Sequence, residues 1–181
     1  MMWLVIVLAV LLVVLGLYLS MTAGRIDRLH QRIETSTLAL DAHLLRRSSI
    51  AIELATAGVL DPASSLLIAD AAHVARTSAD LDPVLKAQAE SELTAALDAA
   101  LDDPEETAEI EVTELGSELL DELDAAFRRV QLSRRFRNDA VRACRQVRSQ
   151  FLVRIFRLAG HTTWPQTWEM DDTMPQGLSE R

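Results

Sequence analysis

Cysteine occurs once in this 181-residue chain, at Cys144, so no intrachain disulfide can form and the usage suits a reducing compartment. Lysine is as scarce, because 17 of the 18 basic residues are arginine. That bias has two readings, guanidinium recognition of phosphate or carboxylate and plain genome base composition, and the second is the simpler. Aromatic residues make up only 4% of the chain, which together with a net charge of −9 argues against nucleic-acid binding. No segment alternates apolar and polar residues between turn signals, so nothing reads as a β-strand. Glycine-rich phosphate loops, nucleophile elbows and cysteine pairs are all missing, which predicts a protein without a catalytic site or cofactor. Cys144 falls on an apolar stripe and reads as a core residue rather than a nucleophile, despite its neighbours Arg142 and Arg145.

Charge is missing from the first stretch, Met1 to Leu19, which is almost wholly apolar. About 20 apolar residues in a helix cross a hydrocarbon core of about 30 Å, so this run predicts a transmembrane helix. Trp3 and Tyr18 lie near its two ends, where amphipathic rings favour the membrane–water interface. A cleaved signal peptide would call for a basic leading segment, a shorter apolar core and small residues at the cut; Met21 and Ala23 fit that poorly, so a retained anchor over residues 1–23 is expected. Arg25, Arg28 and Arg32 follow it and no basic residue precedes it, which predicts the amino terminus outside and the body in the cytoplasm of a bacterial inner membrane.

Beyond the anchor, charge is segregated. Residues 98–124 hold 12 acids and no base, whereas residues 125–158 hold ten arginines and one acid, Asp139. Apolar residues recur at helical spacing from Ile26 through Leu29, Ile33, Leu40, Leu44, Ile50 and Leu54, predicting one long helix to about Thr56, with Gly58 as its stop. Asp61-Pro62 and Asp82-Pro83 are N-cap and first-turn proline pairs that open two shorter helices. Ala63, Leu66, Leu67, Ala71 and Val74 are the expected buried face of the first, and Val84, Leu85, Ala89, Leu93, Ala96, Leu97 and Leu101 that of the second. Pro104 precedes an acidic start in which Gly116 is expected to break or bend the helix. A last helix keeps steps of three and four from Leu119 through Phe127, Cys144, Phe151 and Ile155 to Leu158 and is expected to end at Gly160. The predicted fold is all-α: a transmembrane helix followed by an antiparallel four-helix bundle with two long and two short helices over residues 24–160, then a partly disordered tail, residues 161–181. In up-down-up-down order the basic end of the last helix, with Arg154 and Arg157, returns to the membrane beside Arg25, Arg28 and Arg32.

The stretch from Leu40 to Arg47 resembles the I-D-V-x-L-K-R-R motif of the LemA family of bacterial membrane-anchored helical proteins. Residues 133–141 are similar to its A-R-x-x-Y-N-x-A-V motif, and Leu158-Ala159-Gly160 and Trp168-Glu169 to its ending. Ser49 and Ile52 stand where that family often has Asp and Pro, and Cys144-Arg145 where it often has Tyr-Asn. The resemblance implies a four-helix bundle on a single anchor, with Asp41, Arg46, Arg47, Arg134 and Asn138 as the motif residues, and it implies little chemistry. Arg134 and Asn138 are expected to bond across to Asp41 or to Arg46 and Arg47, fixing helix register.

Carboxylate-x-x-His spacings at Asp27/His30 and Asp70/His73 raise a metal-dependent enzyme or sensor inside the bundle as an alternative. The first pair lies among arginines near the membrane, a poor ligand setting; His43 and His161 lack ligand spacing. The arginine-rich half of the last helix reads as a solvated, salt-bridged face, with anionic lipid headgroups as the second reading. Trp164 and Trp168 are placed either at the membrane interface or folded over the bundle end. The expected function is a non-catalytic bundle held at the cytoplasmic membrane face to bind a protein partner, with no small-molecule substrate or metal; a lipid-binding architectural element is the other alternative.

Overall fold

The computed structural model describes residues 1–78 and 82–181, and all regular structure among them is helical. The elements are α1 (Met2–Thr56), α2 (Pro62–Thr77), α3 (Pro83–Leu101), α4 (Pro104–Glu111), α5 (Glu114–Arg148), α6 (Phe151–Ile155) and α7 (Gln176–Ser179). The four expected helices are thus more finely divided. Helix starts follow local chemistry. Asp61 accepts bonds from the amides of Ala63 and Ser64 at 2.8 and 3.2 Å, while Pro62 fills a position whose N–H would be orphaned anyway. Asp82 caps α3 through Val84 at 2.9 Å, and Asp103 caps α4 through Glu105 at 2.8 Å.

α1 runs without interruption for 55 residues, and the apolar window at its start is 0% buried by the rest of the chain. It is the one helix among the described residues long and apolar enough to cross a membrane.

The chain divides into two compact units. The first comprises Met1–Ser36 and Phe136–Thr167. Its core is Ile26, Val147 and Val153, backed by Leu29, Leu158 and Ala159. The expected unbroken stripe to Leu158 does not form. α5 stops at Arg148, Gln150 is extended (φ −62°, ψ 139°), and the chain restarts as α6 with Val153 inward and Phe151 and Ile155 exposed. The break turns the chain back, so that residues 162–165 come within reach of the last arginines of α5: Arg148 donates to the carbonyls of Thr163 and Thr162 at 2.7 and 2.8 Å, and Arg145 to that of Pro165 at 2.6 Å.

α6 closes in a Schellman turn. The amide of Leu158 donates to the Val153 carbonyl at 3.1 Å, that of Arg157 to the Arg154 carbonyl at 3.3 Å, and Leu158 packs on the cluster of Ile26, Val147 and Val153. Arg157 (φ 48°) therefore occupies the left-handed position that glycine usually takes, at a cost of roughly 1–2 kcal/mol. Gly160, expected to end the helix, lies in the next turn.

The second unit comprises Thr37–Arg135 and Trp168–Arg181. Its core joins Ile50 and Leu54 of α1, Ile68 of α2, Leu93, Leu97 and Leu101 of α3, and Leu120, Leu123 and Phe127 of α5. α3 buries Ala89, Leu93, Ala96, Leu97 and Leu101 as expected but leaves Val84 and Leu85 exposed. α2 turns a different face inward. Ile68, Ala72 and Ala75 are buried, while Leu66, Leu67 and Val74 are exposed. The alanines let α2 approach its neighbours closely, and the core is already supplied with leucines from the other helices.

Gly116 bends no helix, but the acidic start does break just ahead of it, between Glu111 and Glu114. It sits in the first turn of α5, its amide donating to Thr113 Oγ1 at 3.0 Å, in a corner so tight that a Cβ would fall 2.1 Å from the Ile110 carbonyl oxygen. Nor does the tail behave as a loose end. Trp168 is buried against Leu40, Leu44 and Val130, and its Nε1 donates to the Pro83 carbonyl at 2.8 Å. Met174 packs on the main core and Leu178 is part of it. The tail carries its own apolar anchors, so ordering it repays the lost chain entropy.

Candidate functional site

The motif residues of α1 alternate between core and surface, and each meets a different partner from those expected. Leu40, Leu44, Arg47, Ala51 and Leu54 follow steps of four and three, so Arg47 holds a core position in the stripe. Its side chain is fully buried. Nη2 donates to Glu90 Oε2 at 2.8 Å and to the Glu90 carbonyl at 3.0 Å, and Nη1 donates to Thr94 Oγ1 at 3.0 Å. The guanidinium lies 5.2 Å from the centroid of the Phe127 ring, while Nε finds no partner among the described residues. Glu90 is only 2% exposed, so both charges of this pair are out of water. Arg46, one residue earlier, points outward to Glu122 at 2.6 Å, and Asp41 accepts from Lys86 at 2.7 Å.

Arg134 was expected to meet the α1 motif. It turns to the tail instead, donating through Nε and Nη2 to the two oxygens of Asp172 at 2.7 and 2.9 Å and through Nη1 to Glu169 at 2.9 Å. The bidentate fork suits a planar guanidinium, and it anchors the strand of tail that Gln131 also holds through the Asp172 carbonyl at 2.7 Å. Asp171 continues the strap: its amide donates to Ser91 Oγ at 3.0 Å, and its carbonyl accepts from Thr94 Oγ1 at 2.9 Å. The hydroxyl and amide of Thr173 hold the Asp171 carboxyl below the usual carboxylate range. Asn138, in the first unit, is buried and accepts from Arg137 Nη1 at 3.3 Å.

The arginine-rich half of α5 thus does more than face solvent. In the first unit Arg137, Arg145 and Arg148 bond backbone carbonyls of the returning chain, and Arg148 also lies 5.1 Å over the Trp164 ring. Cys144 is buried beneath them; burial pushes its thiol up, partly opposed by Arg148. His30 Nε2 sits 3.4 Å from Arg148 Nη1 rather than in a set of acidic or sulfur ligands. Among the described residues no group of three or more His, Cys, Asp or Glu side chains is placed to hold a metal ion.

Arg25, Arg28, Arg32, Arg154 and Arg157 are all exposed, and all belong to the first unit. Ile26, beside Arg25, and Val153, beside Arg154, belong to the same small core of this unit. Arg28 leans one turn toward the apolar run, so a Cβ on Gly24 would lie 3.7 Å from its Nη1.

One concavity in the second unit combines apolar walls with fixed charge. It holds about 270 Å³ between α1, α2 and α3, with Ala42, Leu45 and Ala75 on its walls and Asp41, Lys86 and Arg76 beside them. On α1 the exposed residues Leu38, Ala42 and Leu45, at steps of four and three, form an apolar stripe that runs into it. The resemblance motif pointed to this helix, but the stripe itself was hidden among residues read as core. No family model matches the chain, and neither any curated protein nor any solved structure matches it.

Proposed function

We propose that this protein is a membrane-anchored, non-catalytic helical bundle that binds a protein partner at the cytoplasmic face of a bacterial inner membrane. In this reading α1, α2, α3 and α5 are the four main helices of an antiparallel bundle, and the resemblance to the LemA family supports that arrangement. Arg25, Arg28 and Arg32, directly after the apolar run, favour a cytoplasmic body.

The observation that carries the binding role is the uncovered stripe of Leu38, Ala42 and Leu45 on α1 opening into the groove beside Asp41, Lys86 and Arg76. An amphipathic helix laid along such a stripe buries apolar residues at three- and four-residue steps and pairs charge at the rim. Photo-crosslinking groups placed at Leu38 and Leu45 of the full chain in native membranes test this. The same product is expected from both positions, absent from Leu66 on α2, and lost on Ala42→Glu. Equal labelling from all three positions, or none, defeats the reading. The metal-centred alternative has no ligand set among the described residues to support it.

A further inference from the structure

We propose that α6 and the turn after it make a second membrane contact: Phe151, Ile155 and Phe156 enter the headgroup–acyl boundary, and Arg154 and Arg157 meet anionic lipid headgroups. The inference rests on the reading that α1 crosses a bilayer.

Placement comes first. The Tyr18 hydroxyl, at the end of the apolar run, donates to Gln150 Oε1 at 3.4 Å, and Gln150 is the residue from which α6 begins. Val153 shares a small core with Val147 and with Ile26, two residues beyond the last uncharged position of that run, Gly24. α6 is therefore held at the level where apolar side chains of α1 give way to Arg25 and Arg28.

Exposure is the second observation. With Val153 inward, Phe151, Ile155 and Phe156 are 75%, 55% and 46% exposed. Three large apolar side chains within six residues, at the depth of a membrane surface, match the amphipathic elements that lie in the interface. Charge supplies the third. No acidic residue occurs between Asp139 and Glu169, while Arg154 falls within the apolar trio and Arg157 directly follows it, and on α1 Arg25 and Arg28 bracket Ile26, which shares a core with Val153. Basic side chains beside an inserted apolar group favour an anionic leaflet.

The test uses the full chain with Cys144→Ala, reconstituted in nanodiscs of phosphatidylcholine with or without phosphatidylglycerol. Nitroxides are attached at single cysteines replacing Phe151, Ile155 or Phe156, with Val10→Cys as the in-membrane reference and Leu132→Cys as the aqueous one. Power saturation with oxygen against a water-soluble nickel chelate is expected to give a severalfold higher ratio at 151, 155 and 156 than at 132, rising further in the anionic discs. Arg154→Gln combined with Arg157→Gln is expected to remove the anionic increment. Aqueous ratios at the three sites overturn the inference while an apolar reading at 10 leaves the span intact; an aqueous reading at 10 as well overturns both. Spin–spin broadening between two chains in one disc would show that a second copy covers the patch, and would also overturn it. Ratios equal in both lipids would overturn the headgroup contact.

Discussion

Glu90→Gln removes one charge from the pair inside the second unit and changes the side-chain shape very little. The carboxylate receives Arg47 Nη2 at 2.8 Å, both side chains are almost wholly out of water, and a Phe127 ring closes one side of the guanidinium. At an effective dielectric near 20 two charges about 4 Å apart attract by about 4 kcal/mol, and removing one partner of a buried pair costs about 3–5 kcal/mol because the other stays buried and uncompensated. For a body of this size, each kcal/mol moves the midpoint by about 2–4 °C, so the variant should melt about 6–20 °C lower. The helical signal of the full chain in detergent, followed by circular dichroism, measures it. Arg47→Met should cost as much, whereas Arg47→Met with Glu90→Met should recover most of the loss, since apolar replacement of a buried pair is near neutral. A midpoint lowered by less than about 2 °C in either single variant would mean that the pair is not dry, and the assigned burial would be wrong.

Gly177 supports α7 at a close approach: a Cβ there would fall 2.4 Å from Thr107 Oγ1 and 2.5 Å from the Leu101 carbonyl oxygen. Gly177→Ala should therefore lift the tail, destabilising by about 1–3 kcal/mol and speeding amide exchange at Leu178 and Ser179. Cys144 should resist alkylation in the folded chain and react at an ordinary thiol rate in denaturant, because it is buried and its thiol is pushed up. The Asp171 carboxyl, held below its usual range by Thr173, contributes stability that is complete above its unfolded titration and lost as pH falls through the folded one. Acid below the normal carboxylate range should thus free the strap before the core, read as early amide exchange at Asp171 and Thr173. Unchanged protection there down to the pH of global unfolding would contradict it.

Local rules were the most legible part of the fold. The two Asp-Pro starts of α2 and α3, the apolar run and the stripes of α1 and α5 each depend on neighbours in sequence, and the structure places those starts where the caps predict, with a third at Asp103-Pro104. Faces were less legible, because burial is settled by what packs opposite. In α2 both Leu66, Leu67 and Val74 and the smaller set Ile68, Ala72 and Ala75 keep helical spacing, and only close approach selects the second. Phe151 and Ile155 continue the α5 period in sequence, yet the break at Ser149 and Gln150 rotates them outward. Arg47 and Glu90 were detectable in principle: each sits at a core step of its stripe, between Leu44 and Ala51 and before Leu93 and Leu97. A charged residue at such a step signals a buried partner without naming it. The tail signalled its docking through Trp168, Met170, Met174 and Leu178, apolar residues spaced through an otherwise polar stretch.

Lys86 carries the sole lysine amine of these 181 residues, and it stands in the wall of the groove, 13% exposed and pinned to Asp41. Acylation, ubiquitin-type tagging and amine-directed cross-linking of side chains all converge on that one nitrogen. A partner seated on α1 would cover it, and neutralising it would release Asp41 as an unpaired acid at the mouth of the groove. Apart from the amino terminus, the chain thus has a single amine address, and its chemical reactivity would report whether the groove is occupied.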